Sequence, residues 1–180
     1  MNRLLSIALL LSGGAMAQIP HDSLWAPMRY FIGSWKGTSE GQSGVGHHER
    51  NYQWALNGNF MQVRNKAAYA PQEKNPQGEI HEDVGYVSYN SVEQKFMLRQ
   101  FHVEGYVNEY KLDILSADRK TFIFVSFNIE NIPPGWRARE TYRILNADEF
   151  EEVFELAAPG KDFTVYSRVK MKRWKPRFPG

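Results

Sequence analysis

The sequence predicts an all-β protein, an antiparallel up-and-down barrel of about ten strands with a short N-terminal helix. Three observations carry this. Apolar and polar residues alternate with period two over nearly the whole chain beyond residue 32. Turn residues interrupt the alternation at short intervals, so successive strands form a meander. Ten strands in one flat sheet would leave two open edges and two faces to cover, and closing the sheet removes the edges.

The elements follow in order. Residues 1–17, "MNRLLSIALLLSGGAMA", carry Arg3, an apolar core from Leu4 to Leu11, and the small-x-small site Ala15–Ala17. This reads as a secretory signal peptide, so the chain is expected to be exported, periplasmic or secreted, with 18–180 as a single barrel domain. The apolar run is too short to span a bilayer, and no transmembrane segment is expected later. "SLWAPMRYF" supplies the short helix, with Leu24, Met28 and Phe31 on one side and Ser23 as a cap. Strands are then expected near 33–41, 47–56, 59–69, 80–89, 95–104, 106–115, 120–129, 136–145, 149–157 and 162–173. "NGN" at 57–59 is a tight hairpin, "APQEKNPQGE" a longer loop, and "NIPPG" a proline-broken bend.

The chain has no cysteine, so disulfides, thiolate chemistry and cysteine metal sites are excluded. Stability must come from a core, and the 11 Phe, 9 Tyr and 5 Trp suit an all-β one. A formal net charge of +2 argues against a nucleic-acid partner. Lys170, Lys172, Arg173, Lys175 and Arg177 form a basic C-terminal tail, for which a weak contact with an anionic membrane surface is the functional expectation.

The hairpin near 136–157 fixes one wall. With "NAD" as its loop, Ile144 faces Phe150, Tyr142 faces Glu152, Glu140 faces Phe154 and Ala138 faces Leu156. Arg143–Glu151 and Arg139–Glu155 form a charge ladder on the other side, which belongs in water. Glu140, Glu152 and Tyr142 are then turned inward. A barrel of this size encloses a cavity, and carboxylates facing it suit a wet or ligand-filled interior better than a solid core. Trp136, after "IPPG", is a candidate lid or rim aromatic, with a packing role the expected one.

The stretch "FIGSWKGTSEG", 31–41, places Trp35 between Gly33 and Gly37. A barrel whose first strand carries Gly-x-Trp resembles the calycins, that is, lipocalins and fatty-acid-binding proteins. It is most similar to the Gly-x-Trp-x-Gly-x-Gly signature of nitrobindin-type haem-binding barrels, with Ser39 in place of the third glycine. The resemblance implies that Trp35 packs across one end of the barrel under a basic side chain from a late strand. It implies a small hydrophobic ligand inside, lipid-like or haem, bound without catalysis. Haem is one candidate cofactor only. Nitrobindins hold the iron with a late histidine, whereas the last one here is His102, so His102, His81 or Tyr142 would have to serve.

Expected ligand-binding residues are Arg99, Gln100, His102, Glu140 and Tyr142. Arg99 is the one that would take a ligand carboxylate, with its face left open by the alternation. In one register of the hairpin over 80–104, Asp83 opposes His102; in the other, Glu82 does. Either pairs His102 with a carboxylate, which suits a general base. The alternative function is therefore an enzyme using that pair, with Glu140 or Glu152, for proton transfer or isomerisation. No serine sits in a nucleophile elbow. His81, His102 and Asp83 or Glu104 have the donor types of a metal site, but alternate strand positions lie roughly 6.5–7 Å apart, and no metal is assigned. "HHE" at 47–49 is assigned to the rim or surface, since neighbouring strand residues point to opposite faces.

Overall fold

A computed structural model describes residues 21–175. Residues 1–17, for which a signal peptide is expected, and Arg177 lie outside the described residues. Ten antiparallel strands run β1 Gly33–Gly41, β2 Gly46–Ala55, β3 Phe60–Tyr69, β4 Glu79–Asn90, β5 Lys95–His102, β6 Val107–Leu115, β7 Thr121–Glu130, β8 Arg137–Asn146, β9 Glu149–Ala157 and β10 Thr164–Arg173. Each pairs with its sequence neighbours, and β1 pairs with β10, closing the barrel. The up-and-down barrel expected from the alternation is the fold. Among the described residues no helix is long and apolar enough to cross a membrane.

The expected helix is two short pieces, α1 (His21–Trp25) and a 3₁₀ turn over Met28–Phe31. Pro27 stands between them, and a proline has no N–H to continue a helical ladder. These pieces plug one end of the barrel. Trp25, Met28 and Phe31 are buried, Trp25 edge-on to Trp54 and Phe96 and Phe31 edge-on to Phe122 and Phe150. One half of the interior is thus a packed aromatic core.

Trp35 occupies the position expected of it. It is 1% exposed, its indole N–H donates to the Phe31 carbonyl at 2.7 Å, and its ring packs on Phe150. The Arg173 guanidinium from β10 lies 4.2 Å from the ring centre and donates to the Ile32 and Tyr30 carbonyls. Arg173 therefore ties the plug to the wall. Lys172 pairs with Glu149 at 2.9 Å. Two of the five tail cations are thus engaged within the barrel itself.

Gly37 explains the second glycine of the motif. A Cβ there would lie 2.2 Å from the Lys170 carbonyl oxygen and 2.6 Å from Met171 Sδ. Neither β1 nor β10 can yield without breaking ladder bonds. Gly37→Ala is expected to lose about 1–3 kcal/mol by overpacking, read as a lower urea midpoint.

The β8–β9 register is the one read from the sequence, residue for residue from Ala138↔Leu156 to Ile144↔Phe150. The outer ladder is present, Arg139–Glu155 at 2.6 Å and Arg143–Glu151 at 3.2 Å. In the β4–β5 hairpin Asp83 opposes His102, which selects the first of the two registers.

Candidate functional site

Above the aromatic plug the inward positions turn polar. Arg50, Asn65, Asp83, Gln100, Asn108, Glu140 and Glu152 come from seven strands and are all buried. Each lies on the inward parity of its strand, and pairings such as Arg50↔Asn65, Asn65↔Asp83 and Gln100↔Asn108 join them into a belt around the wall. This belt floors a cavity of about 590 Å³. Its upper walls include Ala67, Ile129, Phe154, Leu156 and Val169, and Trp136 stands at its mouth with Ile132 and Pro133.

The belt is organised by one ion pair. Arg50 makes a two-pronged contact with Glu152 and also donates to Tyr52 Oη and Asn65 Oδ1, each at 3.2 Å. Burial alone would weaken the Arg50 charge, but the Glu152 carboxylate overrides it and holds the guanidinium well above its usual range. Asn65 passes the chain on, donating to Asp83 Oδ2 at 2.9 Å. Burial works against the Asp83 charge, but His81, Arg50 and Asn65 outweigh it and keep the carboxyl below its usual range. For Glu140 the Arg50 charge is not enough. Burial, and then the Glu152 charge, push it well above the usual carboxylate range, so it stands as a neutral acid.

Near the mouth, His81 reaches Glu104 through Nδ1 at 2.7 Å and lies 3.6 Å from Asp83 Oδ2 through Nε2. Asp83 first, against burial and with help from Glu104, raises His81 to about 9. His102 stacks on Tyr106, meets His81 Nε2 at 3.5 Å through Nδ1, and stands 3.2 Å from the Asn108 side-chain amide through Nε2. Burial lowers its proton affinity. The cross-strand partner expected for His102 is present in register, but the close carboxylate contacts belong to His81.

Two expected ligand residues are placed elsewhere. Arg99 is on the outer face, paired with Glu109 at 2.9 Å, because its neighbours Leu98 and Gln100 take the inward parity. Tyr142 is inward but sits below the floor in the plug, against Phe31, Phe124 and Phe150. Gln100, His102 and Glu140 do line the cavity.

His48 lines it too, contrary to the rim or surface expected for the His47–Glu49 run. It is 6% exposed, shares parity with Arg50 and Tyr52, and lies edge-on to Tyr69. Both its ring nitrogens lack a hydrogen-bond partner. So do Asp83 Oδ1, Gln100 Oε1 and Glu140 Oε2. All four residues border the same cavity. Buried polar atoms are nearly always partnered, by protein or by ordered water, so these atoms are hydrogen-bonding capacity turned toward one space.

No protein-family model and no curated protein matches the sequence. Solved structures with the same fold exist. The crystal structure of Rv2717c from M. tuberculosis matches with a TM-score of 0.60 and 15% identity, covering 84% of this chain and 98% of that one. The S-type phycobiliprotein lyase CPES from Guillardia theta matches with a TM-score of 0.50 and 15% identity, covering 82% and 90%. These likenesses concern the fold alone, an antiparallel β-barrel.

Proposed function

We propose that the chain is a binding protein for a small, mostly apolar molecule with a hydrogen-bond-donating head. Export belongs to the same proposal and rests on residues 1–17. The observation that carries the binding reading is the set of partnerless buried atoms on His48, Asp83, Gln100 and Glu140 around one cavity. Asp83 Oδ1 and Gln100 Oε1 are acceptors, and His48 offers at least one more. A hydroxyl or amine head answers them, while the apolar upper walls cover the tail.

A carboxylate head is disfavoured. Arg50 is the sole arginine or lysine among the described lining residues, and Glu152 already occupies it. Arg99 faces the wrong way to help. Haem fails the same test. The free His48 nitrogens would suit its iron, but the cations of the lining, Arg50 and His81, are already held by Glu152 and by Asp83 and Glu104, and the propionates would meet Glu79 and Glu104 at the mouth. The residues do not fit haem, nor does the nitrobindin-type ligand set. The proton-transfer alternative loses its central pair, because the close carboxylate contacts of Asp83 and Glu104 go to His81 rather than to His102.

The test is displacement of a neutral apolar fluorophore, N-phenyl-1-naphthylamine, by dodecanol, dodecylamine and dodecanoate. The alcohol and the amine should compete at lower concentration than the carboxylate. Gln100→Leu should weaken the better of them about fivefold, the worth of one ordinary hydrogen bond. A preference for dodecanoate, or no displacement by any of the three, sinks this reading.

A further inference from the structure

His81, Asp83 and His102 offer three ligand atoms that lie within 4.8 Å of one another. The β4–β5 register produces this. His81 and Asp83 are two apart on one strand, so they share a face, and His102 is the cross-strand partner of Asp83. The strand spacing that separates the Cα atoms is bridged by side chains that lean together at the mouth.

The donor atoms also face one another. His81 Nδ1 faces the Glu104 carboxylate at 2.7 Å, and a carboxylate only accepts, so Nδ1 carries the proton there. His81 Nε2 is turned the other way, to Asp83 at 3.6 Å and His102 Nδ1 at 3.5 Å, and offers a lone pair to an ion once it gives up its proton. His102 Nε2 faces Asn108, whose amide also meets Tyr110 Oη at 2.9 Å. As placed, the amide nitrogen faces Nε2, so binding an ion through Nδ1 requires the Asn108 amide to turn its oxygen to a protonated Nε2. Two imidazole nitrogens and a carboxylate oxygen lie around one spot.

The distances favour the ion. Donors about 2.0–2.1 Å from a tetrahedral zinc ion stand roughly 3.4 Å from each other. The two observed edges, 3.5 and 3.6 Å, are close to that. The outer contacts also fit: Glu104 on His81 is the carboxylate–histidine–metal arrangement that fixes the tautomer and strengthens the ligand. Two imidazoles with one carboxylate select a zinc-class transition metal over calcium or magnesium.

We propose that His81 Nε2, His102 Nδ1 and Asp83 bind one divalent transition-metal ion, with a further coordination position open to the cavity. The site does not depend on the identity of the cavity's organic ligand. Three protein ligands with an open position allow a water or a ligand head to complete the shell.

The experiment is titration of the EDTA-treated full chain with Co²⁺, followed by visible absorption, and with Zn²⁺, followed by calorimetry. One equivalent should bind, and Zn²⁺ should displace Co²⁺ and bleach its bands. His81→Gln and His102→Phe should each weaken uptake more than about 100-fold, and Glu104→Gln about 10–100-fold. His47→Ala, on the exposed face, should leave it unchanged. Glu104 is exposed enough for its variant to fold whatever becomes of the other two. No stoichiometric uptake by the wild type overturns the proposal, and so does unchanged affinity in Glu104→Gln or in both histidine variants.

Discussion

Arg50→Met is expected to cost about 3–5 kcal/mol of stability, because it leaves the Glu152 carboxylate in the barrel without its cation and removes one of the charges that support Asp83. Glu152 is 6% and Asp83 7% exposed, so water does not replace the lost contacts. The variant also frees Tyr52 Oη and Asn65 Oδ1, each of which accepts from Arg50. Removing the pair together is different in kind. Arg50→Met with Glu152→Leu deletes both charges, and an apolar pair of similar volume should recover much of the loss. The check is urea unfolding of wild type, both single variants and the double. A single Arg50→Met variant within about 1 kcal/mol of wild type would mean that the belt is hydrated and the pair is solvent-screened.

Glu152→Gln should be milder than Arg50→Met, and the reason lies in Glu140. Glu140 is neutral through burial first and the Glu152 charge second, and Arg50 pulls the other way. Taking away the Glu152 charge removes the second of the two causes that hold Glu140 neutral and leaves the Arg50 charge acting on it in favour of the carboxylate.

Much of this arrangement is legible in the sequence, and the failures share a cause. Alternation gives the faces of a strand up to a choice of which face is inside. For β8 and β9 the choice is forced, since Arg139, Arg143, Glu151 and Glu155 can only be outside, and Glu140 and Glu152 follow. For β5 it is not forced. Arg99 lies between Leu98 and Gln100, and both strand faces carry apolar residues, with Met97 and Leu98 each buried. For β2 the parity shared by His48, Arg50 and Tyr52 was the available signal. It was masked by the charge of Arg50, which looks like a solvent residue until its partner is known. That partner, Glu152, is 102 residues away and on a strand that is not even adjacent to β2. Tyr142 shows the second limit. Parity says it points inward, but its height in the barrel depends on the stagger of all ten strands. No local pattern encodes that stagger, and it decides whether a residue meets the cavity or the plug.

His48 should make the protein acid-labile in a way that one substitution isolates. Its proton affinity is lowered to about 3 from 6.5, through burial first and the Arg50 charge second. Arg50, His81 and Asp83 are the charged groups that act on it, and Asn65 beside it is committed to Arg50 and Asp83. Between pH 3 and 6.5 the unfolded chain binds a proton at this position and the folded chain does not. Folding stability therefore rises with pH through that window and is lost as pH falls through it. Each tenfold change in proton affinity is ~1.4 kcal/mol, so the full effect is several kcal/mol. Glu140 acts in the opposite sense. Its raised proton affinity stabilises the fold at low pH, and that contribution fades as pH rises above 4.5. The wild-type curve is a sum of both, which is why the difference from His48→Gln is the useful quantity. Glutamine keeps a polar group of similar reach and removes only the titration. Urea unfolding of both proteins from pH 3.5 to 8 should give a difference that changes steadily up to pH 6.5, in favour of the variant at the acid end, and is flat above it. A difference that is flat across the whole range would place the His48 ring in contact with water, and would remove it from the set of buried atoms that await a ligand.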